Sequence, residues 1–284
     1  MKNSTILVIL GKDYDTGALE KKLETIRAIP AHAAILVVGE TPDYPYYAFS
    51  VPMYGGAVFP DEWQEAVISG TQTIKQKAQE IEQLLQKHDV SGDVTHVNCE
   101  PARISDAVAR RAMLCDMAMV CDDLREPQSM FRQVVYGILF DSPVGVILNT
   151  QEPDKALSAQ TIFVAWNNHP HSARAIQQAL PMLRAAKEVI IGTFDPVMSE
   201  YRDGEEPGAD VATWLSHHGC TVTVRQFPSG GVEIGTAIME RAKEAGADLV
   251  VMGSYGHSRT RQAIFGGTTQ TLITQTEQPV FLAH

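Results

Sequence analysis

The chain has 284 residues, of which 44% are hydrophobic and 20% charged, with a formal net charge of -11; this composition excludes a disordered chain, and the length suits two cores better than one. Acidic residues outnumber basic ones in both halves, so neither half offers the basic face that nucleic acid requires. No apolar run approaches the roughly 20 residues of a membrane span, and the short run near Met1 soon reaches acidic residues, so a cytoplasmic protein without a signal peptide is expected.

In chain order, TILVIL (5–10) predicts a strand, GALEKKLETIRAI (17–29) a helix and HAAILVVG (32–39) a strand. The segment 41–63 then gathers tyrosine, phenylalanine, proline and glycine without a period; it reads as a packed connection over the sheet end or as an apolar partner surface. A long helix near 61–88 precedes the strand DVTHVNC (93–99), the helix ISDAVARRAML (104–114) and the strand DMAMVC (116–121). A helical stretch near 128–139 and the strand PVGVIL (143–148) end the first half.

The second half repeats that order. TIFVAW (161–166), EVIIGTF (188–194), CTVTVRQF (220–227), ADLVVMG (247–253) and QPVFLAH (278–284) read as strands. HSARAIQQALPMLRAAK (171–187), GADVATWLSHHG (208–219), GVEIGTAIMERAKEAG ending at Gly246, and GTTQTLITQT (267–276) read as the helices between them. Such alternation implies βαβ crossovers and a parallel sheet. The expected fold is therefore α/β, with two tandem doubly wound domains, 1–150 and 151–284. The polar stretch 149–160 is a linker short enough for the two to pack together.

Duplication makes each half a control for the other. Where the second has Gly253-Ser254-Tyr255-Gly256, the first has Cys121-Asp122-Asp123-Leu124, and in place of Gly266-Gly267 it keeps only Gly137. Gly253 and Gly256 let a ligand lie against the main chain. Gly266-Gly267 precede Thr268-Thr269, which can cap the last helix, whose N-terminus suits an anion. An ordinary strand-ending turn followed by a Gly-Gly-Thr helix start is the alternative from these residues alone. The pattern is neither a Walker loop nor a G-x-G-x-x-G fingerprint.

Gly253, two residues, Gly256, nine residues, Gly266 and a small or hydroxyl cluster resemble the G-x2-G-x9-G-(S/T) signature of the universal stress protein family. VVMGSYGHSR, FVAWNNHPHSARAIQQALPML and PVFLAH resemble its tandem bacterial members, and the first half resembles them in order of elements. The resemblance implies a five-stranded parallel sheet in each domain, order 3-2-1-4-5, flanked by helices, with the last strand pairing across a repeat or subunit interface, and a homodimer is open. It also implies an ATP site, for ATP or another adenine nucleotide, with or without Mg. Phosphates and ribose would lie on Gly253, Gly256, Gly266, Gly267, Thr268 and Thr269, with Met252 and His257 beside them, and adenine near Ala165, Trp166, Asn167 and Phe194. Asn167 stands where the family usually has aspartate, and Gly267 where it has a small hydroxyl residue.

Other signals are weaker. His169 and His171 lack a carboxylate or cysteine at ligand spacing and read as loop residues, so no metal is expected. Adjacent His217 and His218 do not share a helix face. Arg259 and Arg261 read as a solvated face, and Ser229 to Gly231 as a turn. Cys99, Cys115, Cys121 and Cys220 have no C-x-x-C spacing and read as small core residues in a reducing compartment. Asp122, Asp123 and Glu126 would repel a polyphosphate, which leaves the first half a regulatory or partner-binding role. No nucleophile, base and orienting group form a catalytic set; slow ATP hydrolysis or self-phosphorylation is implied only by the family resemblance.

Overall fold

A computed structural model describes residues 3–43, 59–149, 156–199, 203–254 and 267–284. In the first half, β1 (Thr5–Gly11), α1 (Thr16–Ala28), β2 (His32–Glu40), α2 (Asp61–Lys87) and β3 (Gly92–Cys99) lead to α3 (Pro101–Ala112) and β4 (Met117–Val120). A 3-10 turn over Asp122–Arg125, α4 (Gln128–Asp141) and β5 (Gly145–Leu148) follow. The second half runs β6 (Thr161–Ala165), α5 (Pro170–Ala185), β7 (Glu188–Phe194), α6 (Ala209–His217), β8 (Val222–Phe227), α7 (Ile234–Glu244), β9 (Leu249–Gly253), α8 (Gly267–Thr274) and β10 (Val280–Ala283).

The inner strands are continuous apolar runs because helices cover both sheet faces. Ile6 to Leu10 are fully buried, as are Phe281 to Ala283. Helix starts follow local chemistry: the Asp15 carboxylate accepts the Ala18 amide, and Pro101 and Pro170 open α3 and α5, where a missing N–H costs nothing. Gly246, at φ +65, ends α7 in the left-handed conformation that favours glycine.

The ten strands of the described residues form one sheet, in the order β3-β2-β1-β4-β5-β10-β9-β6-β7-β8. Each half is parallel within itself and wound alike, 3-2-1-4-5 in the first and 8-7-6-9-10 in the second. The halves meet where β5 and β10 pair antiparallel, Leu148 opposite Val280, Ile147 opposite Phe281 and Val146 opposite Leu282. One buried cluster on each face gathers residues from both halves.

Polar contacts reinforce that seam. The Arg125 guanidinium donates to the carbonyls of Ile273 (3.1 Å) and Gln275 (3.3 Å) at the end of α8, a position that favours a cation. It also bonds Asn149 Oδ1 and Asp122, while Asn149 Nδ2 donates to the Gln278 carbonyl at 2.9 Å. The halves differ in one layer: α5 lies across β9 and β10 and reaches β5, whereas α1 packs against β2 and α2.

At the seam, Gly145 lies under the Phe281 ring, and a Cβ there would stand 2.2 Å from Cζ. Gly145→Ala is therefore expected to cost about 1–3 kcal/mol of unfolding free energy, the usual range for overpacking. Chemical denaturation compares it with Gly219→Ala as a reference; the Gly219 Cβ would meet nothing within 4 Å, although its φ of +85 adds some strain.

Candidate functional site

The carboxyl ends of β6, β7 and β9 open into a cleft of about 500 Å3, within the size class of small-molecule sites. Ala165, Trp166, Asn167, Phe194, Met252, Gly253, Gly267, Thr268 and Thr269 all line it. Nine of the twelve residues singled out by sequence thus share one wall system, although no two of their four segments adjoin in the chain. Gly256, His257 and Gly266 lie outside the described residues, as do Arg259 and Arg261. His169, Ser172, Ile234 and Ile238 complete the lining; the two isoleucines gave only a helix period in sequence, indistinguishable from core residues.

Buried Ala165 and Met252, at the ends of β6 and β9, give the cleft apolar lining, while Thr268 and the start of α8 give it polar lining; Ile238 comes from α7, which packs against α8. Asn167 is fixed from two sides: its carbonyl accepts the His169 amide, and its side-chain Oδ1 accepts the Ser172 hydroxyl. Among the described residues no acceptor meets the amide Nδ2. A smaller recess of about 80 Å3 shares Trp166, Asn167 and Phe194 and is bounded by Thr193, Asp203 and Asp210.

The glycines of this site divide by what surrounds them. A Cβ on Gly253 would stand 2.5 Å from the His171 carbonyl carbon and from the Ser172 nitrogen, so the first turn of α5 itself demands glycine there. At Gly267 the nearest atom among the described residues would be Glu233 Oε1 at 3.7 Å, an ordinary contact. Gly137 lies inside α4, where a Cβ would meet the Ser105 carbonyl oxygen at 2.4 Å. It serves close α3–α4 packing, which corrects its reading as a remnant of Gly266-Gly267. Gly253→Ala is expected to lower stability by about 1–3 kcal/mol through this collision, read as a shifted denaturation midpoint at unchanged slope.

The corresponding crevice of the first half, about 220 Å3, is acidic. Leu124 is buried beside it, and Asp123 Oδ2 accepts the Gly11 amide at 2.7 Å. Burial pushes the Asp123 carboxyl up to about 6 despite its amide hydrogen bonds. Glu40 is likewise raised by burial. Cys121 and Cys220 are buried and Cys99 and Cys115 partly so, all four free; burial lifts the Cys121 thiol to about 12.

Beside the cleft, His171 stacks between His169 and His284, with ring centroids 4.8 and 4.0 Å away, and the Phe140 ring meets His284 at 4.6 Å. His218 lies instead against Trp214 on α6. Among the described residues no group of three histidine, cysteine or carboxylate side chains could hold a metal. Ser229 to Gly231 form a turn in which the Ser229 amide bonds Asp195.

The histidine stack carries a pH dependence. Burial, then the neighbouring His284, His169 and Arg174, hold His171 down at about 4, and burial lowers His284 as well. The unfolded chain takes up protons near pH 6.5 that the folded stack refuses, so this stability is full above about 6.5 and is lost as pH falls towards 4. Asp123, with its raised value, acts in the opposite sense between about 6 and 4. The expected result is a thermal midpoint that declines less steeply between pH 7 and 5 in His171→Asn than in the wild type, measured by calorimetry.

The model of the family described as "Universal stress protein family" matches residues 159–284. Over those residues the chain is similar to the universal stress protein family. Among solved structures, a universal stress protein from Archaeoglobus fulgidus DSM 4304 is 16% identical, at TM-score 0.66 over 98% of this chain and 97% of that one. A Pseudomonas aeruginosa UCBPP-PA14 protein assigned to the same family is also 16% identical, at TM-score 0.57 over 99% and 93%. A functionally unknown protein from Pseudomonas aeruginosa PAO1 is 15% identical, at TM-score 0.56 over 99% and 92%. At these identities the likeness is one of fold. No curated protein matches the chain. Among the described residues no helix is long and apolar enough to cross a membrane.

Proposed function

We propose that the chain is a stress-response sensor or regulator built of two units, 1–150 and 151–284, whose second unit binds ATP or a related adenine nucleotide. The observation that carries this reading is the convergence of nine of the twelve residues singled out by sequence on a single cleft, with Ala165, Trp166 and Phe194 at the ends of β6 and β7 and hydroxyls at the start of α8. An adenine ring suits those strand ends, against Ala165, Trp166 and Phe194, with Asn167 Nδ2 offered to a ring nitrogen. Ribose and phosphate then run past Gly253 towards Gly267, Thr268 and Thr269, where the α8 N-terminus favours an anion. A Mg ion would add neutralising charge to the phosphates.

The first unit does not share this role. Its crevice has Asp123 on the Gly11 amide and carries Glu40, Asp13 and Glu126 besides, so a phosphate there would meet carboxylates. Regulation or partner contact is the function left to it.

Native mass spectrometry of the purified chain is expected to reveal a retained adenine nucleotide, and added AMP, ADP or ATP to raise the melting temperature. Gly267→Val, whose Cβ meets no described atom closer than 3.7 Å, is expected to keep the ligand-free melting temperature and lose most of that rise. No retained nucleotide together with no rise for any of the three would refute the reading.

A further inference from the structure

Four donors converge on one carboxylate where α7 begins beside the first turn of α8. Glu233 Oε2 accepts the Thr236 amide at 3.0 Å and the Thr271 hydroxyl at 3.2 Å, and Oε1 accepts the Thr268 hydroxyl at 3.0 Å. The Gly235 amide also bonds the carboxylate. The Glu233 side chain thus caps its own helix and is held by two hydroxyls of another. It needs Gly235 to do so, since a Cβ there would stand 2.7 Å from Oε2. Partial burial would raise this carboxyl, but the amides of Gly235 and Thr236 and the two threonine hydroxyls outweigh it and hold it below the ordinary range, so it is ionised at neutral pH.

The position matters because Gly267 and Thr268 also line the cleft. The positive end of α8 already has a negative charge seated beside it, and the Thr268 hydroxyl is already donated. A phosphate arriving there must draw that hydroxyl from Glu233 and lie near a like charge. Each additional phosphate charge enlarges the repulsion, while the far end of the cleft, at Ala165, Trp166 and Phe194, is indifferent to it. Resting on the adenine-nucleotide reading above, we propose that Glu233 sets the ligand class of this cleft. By occupying the α8 hydroxyls, its carboxylate turns the site away from the triphosphate and towards adenine ligands of low charge, a nucleoside or nucleoside monophosphate.

Titration calorimetry on the full chain, at low salt and without divalent cations, tests this with adenosine, AMP and ATP. The quantity read is the ratio of the adenosine and ATP dissociation constants. Glu233→Gln is expected to shift that ratio towards ATP by about tenfold, equivalent to about 1.4 kcal/mol, with AMP intermediate and the gap narrowing as salt is added. Glu233→Asp keeps a charge and a good capping oxygen but draws the carboxylate back from Thr268; its shift is expected in the same direction and smaller, and it stands in should the glutamine variant not fold. A ratio that stays fixed, or moves towards adenosine, in both variants would overturn the inference while leaving adenine binding intact. Absence of binding for adenosine, AMP and ATP alike in the wild type would retire the adenine reading and this inference with it.

Discussion

A phenylalanine ring lying on a glycine, Phe281 over Gly145, joins the two halves of this chain at the point where their sheets run in opposite directions. Two strands of four residues each, β5 and β10, supply the only antiparallel pairing among the described residues of this sheet. Left apart, each would be an exposed apolar edge of a parallel sheet, an arrangement that folded proteins avoid. Pairing them buries both edges and lets one core layer on each face run through both halves. The Arg125 and Asn149 contacts close the polar rim of the same junction, so side chains of the first half fix the end of α8 and the approach to β10. The candidate cleft opens at the other end of α8, and its geometry therefore depends on the junction.

That dependence explains why the halves are alike in winding and unlike in chemistry. In the second half α5 lies over β9 and β10, close enough to exclude any side chain at Gly253. In the first half α1 packs towards β2 and α2, and a cysteine occupies the strand position that corresponds to Gly253. The crevice beside it is then occupied by Asp123 and Leu124. One fold accommodates both, because the strand ends are set by the sheet, while what stands over them is set by the helix that follows β1 or β6.

Glycine alone is an ambiguous messenger. Gly253, Gly267 and Gly137 look alike as residues, yet one is demanded by a helix backbone, one meets only an ordinary contact among the described residues, and one lets α4 settle on α3. Only the neighbouring atoms separate these cases, and those neighbours come from residues about 30 to 80 positions away. The same holds for Glu233, which in sequence is one residue of a helical stretch and in space caps that helix and is the partner of two threonines on the next.

Residue order alone is enough for the alternation of strands and helices, the duplication and the choice of the four segments now found at the cleft. Hydrophobic period, capping residues and glycine breaks act over a few residues and are written locally. Ala165, Trp166, Asn167, Phe194, Met252 and Gly267 to Thr269 were legible because strand ends and helix starts are local signals and their arrangement resembles a known signature. The packing of remote segments is what makes the two sheets one, leaves Gly253 and Gly137 answering to packing, sets Ile234 and Ile238 in the cleft and seats Glu233 on Thr268 and Thr271. Each of these turns on distances between segments remote in the chain, set by packing across the sheet rather than by any local preference of the backbone.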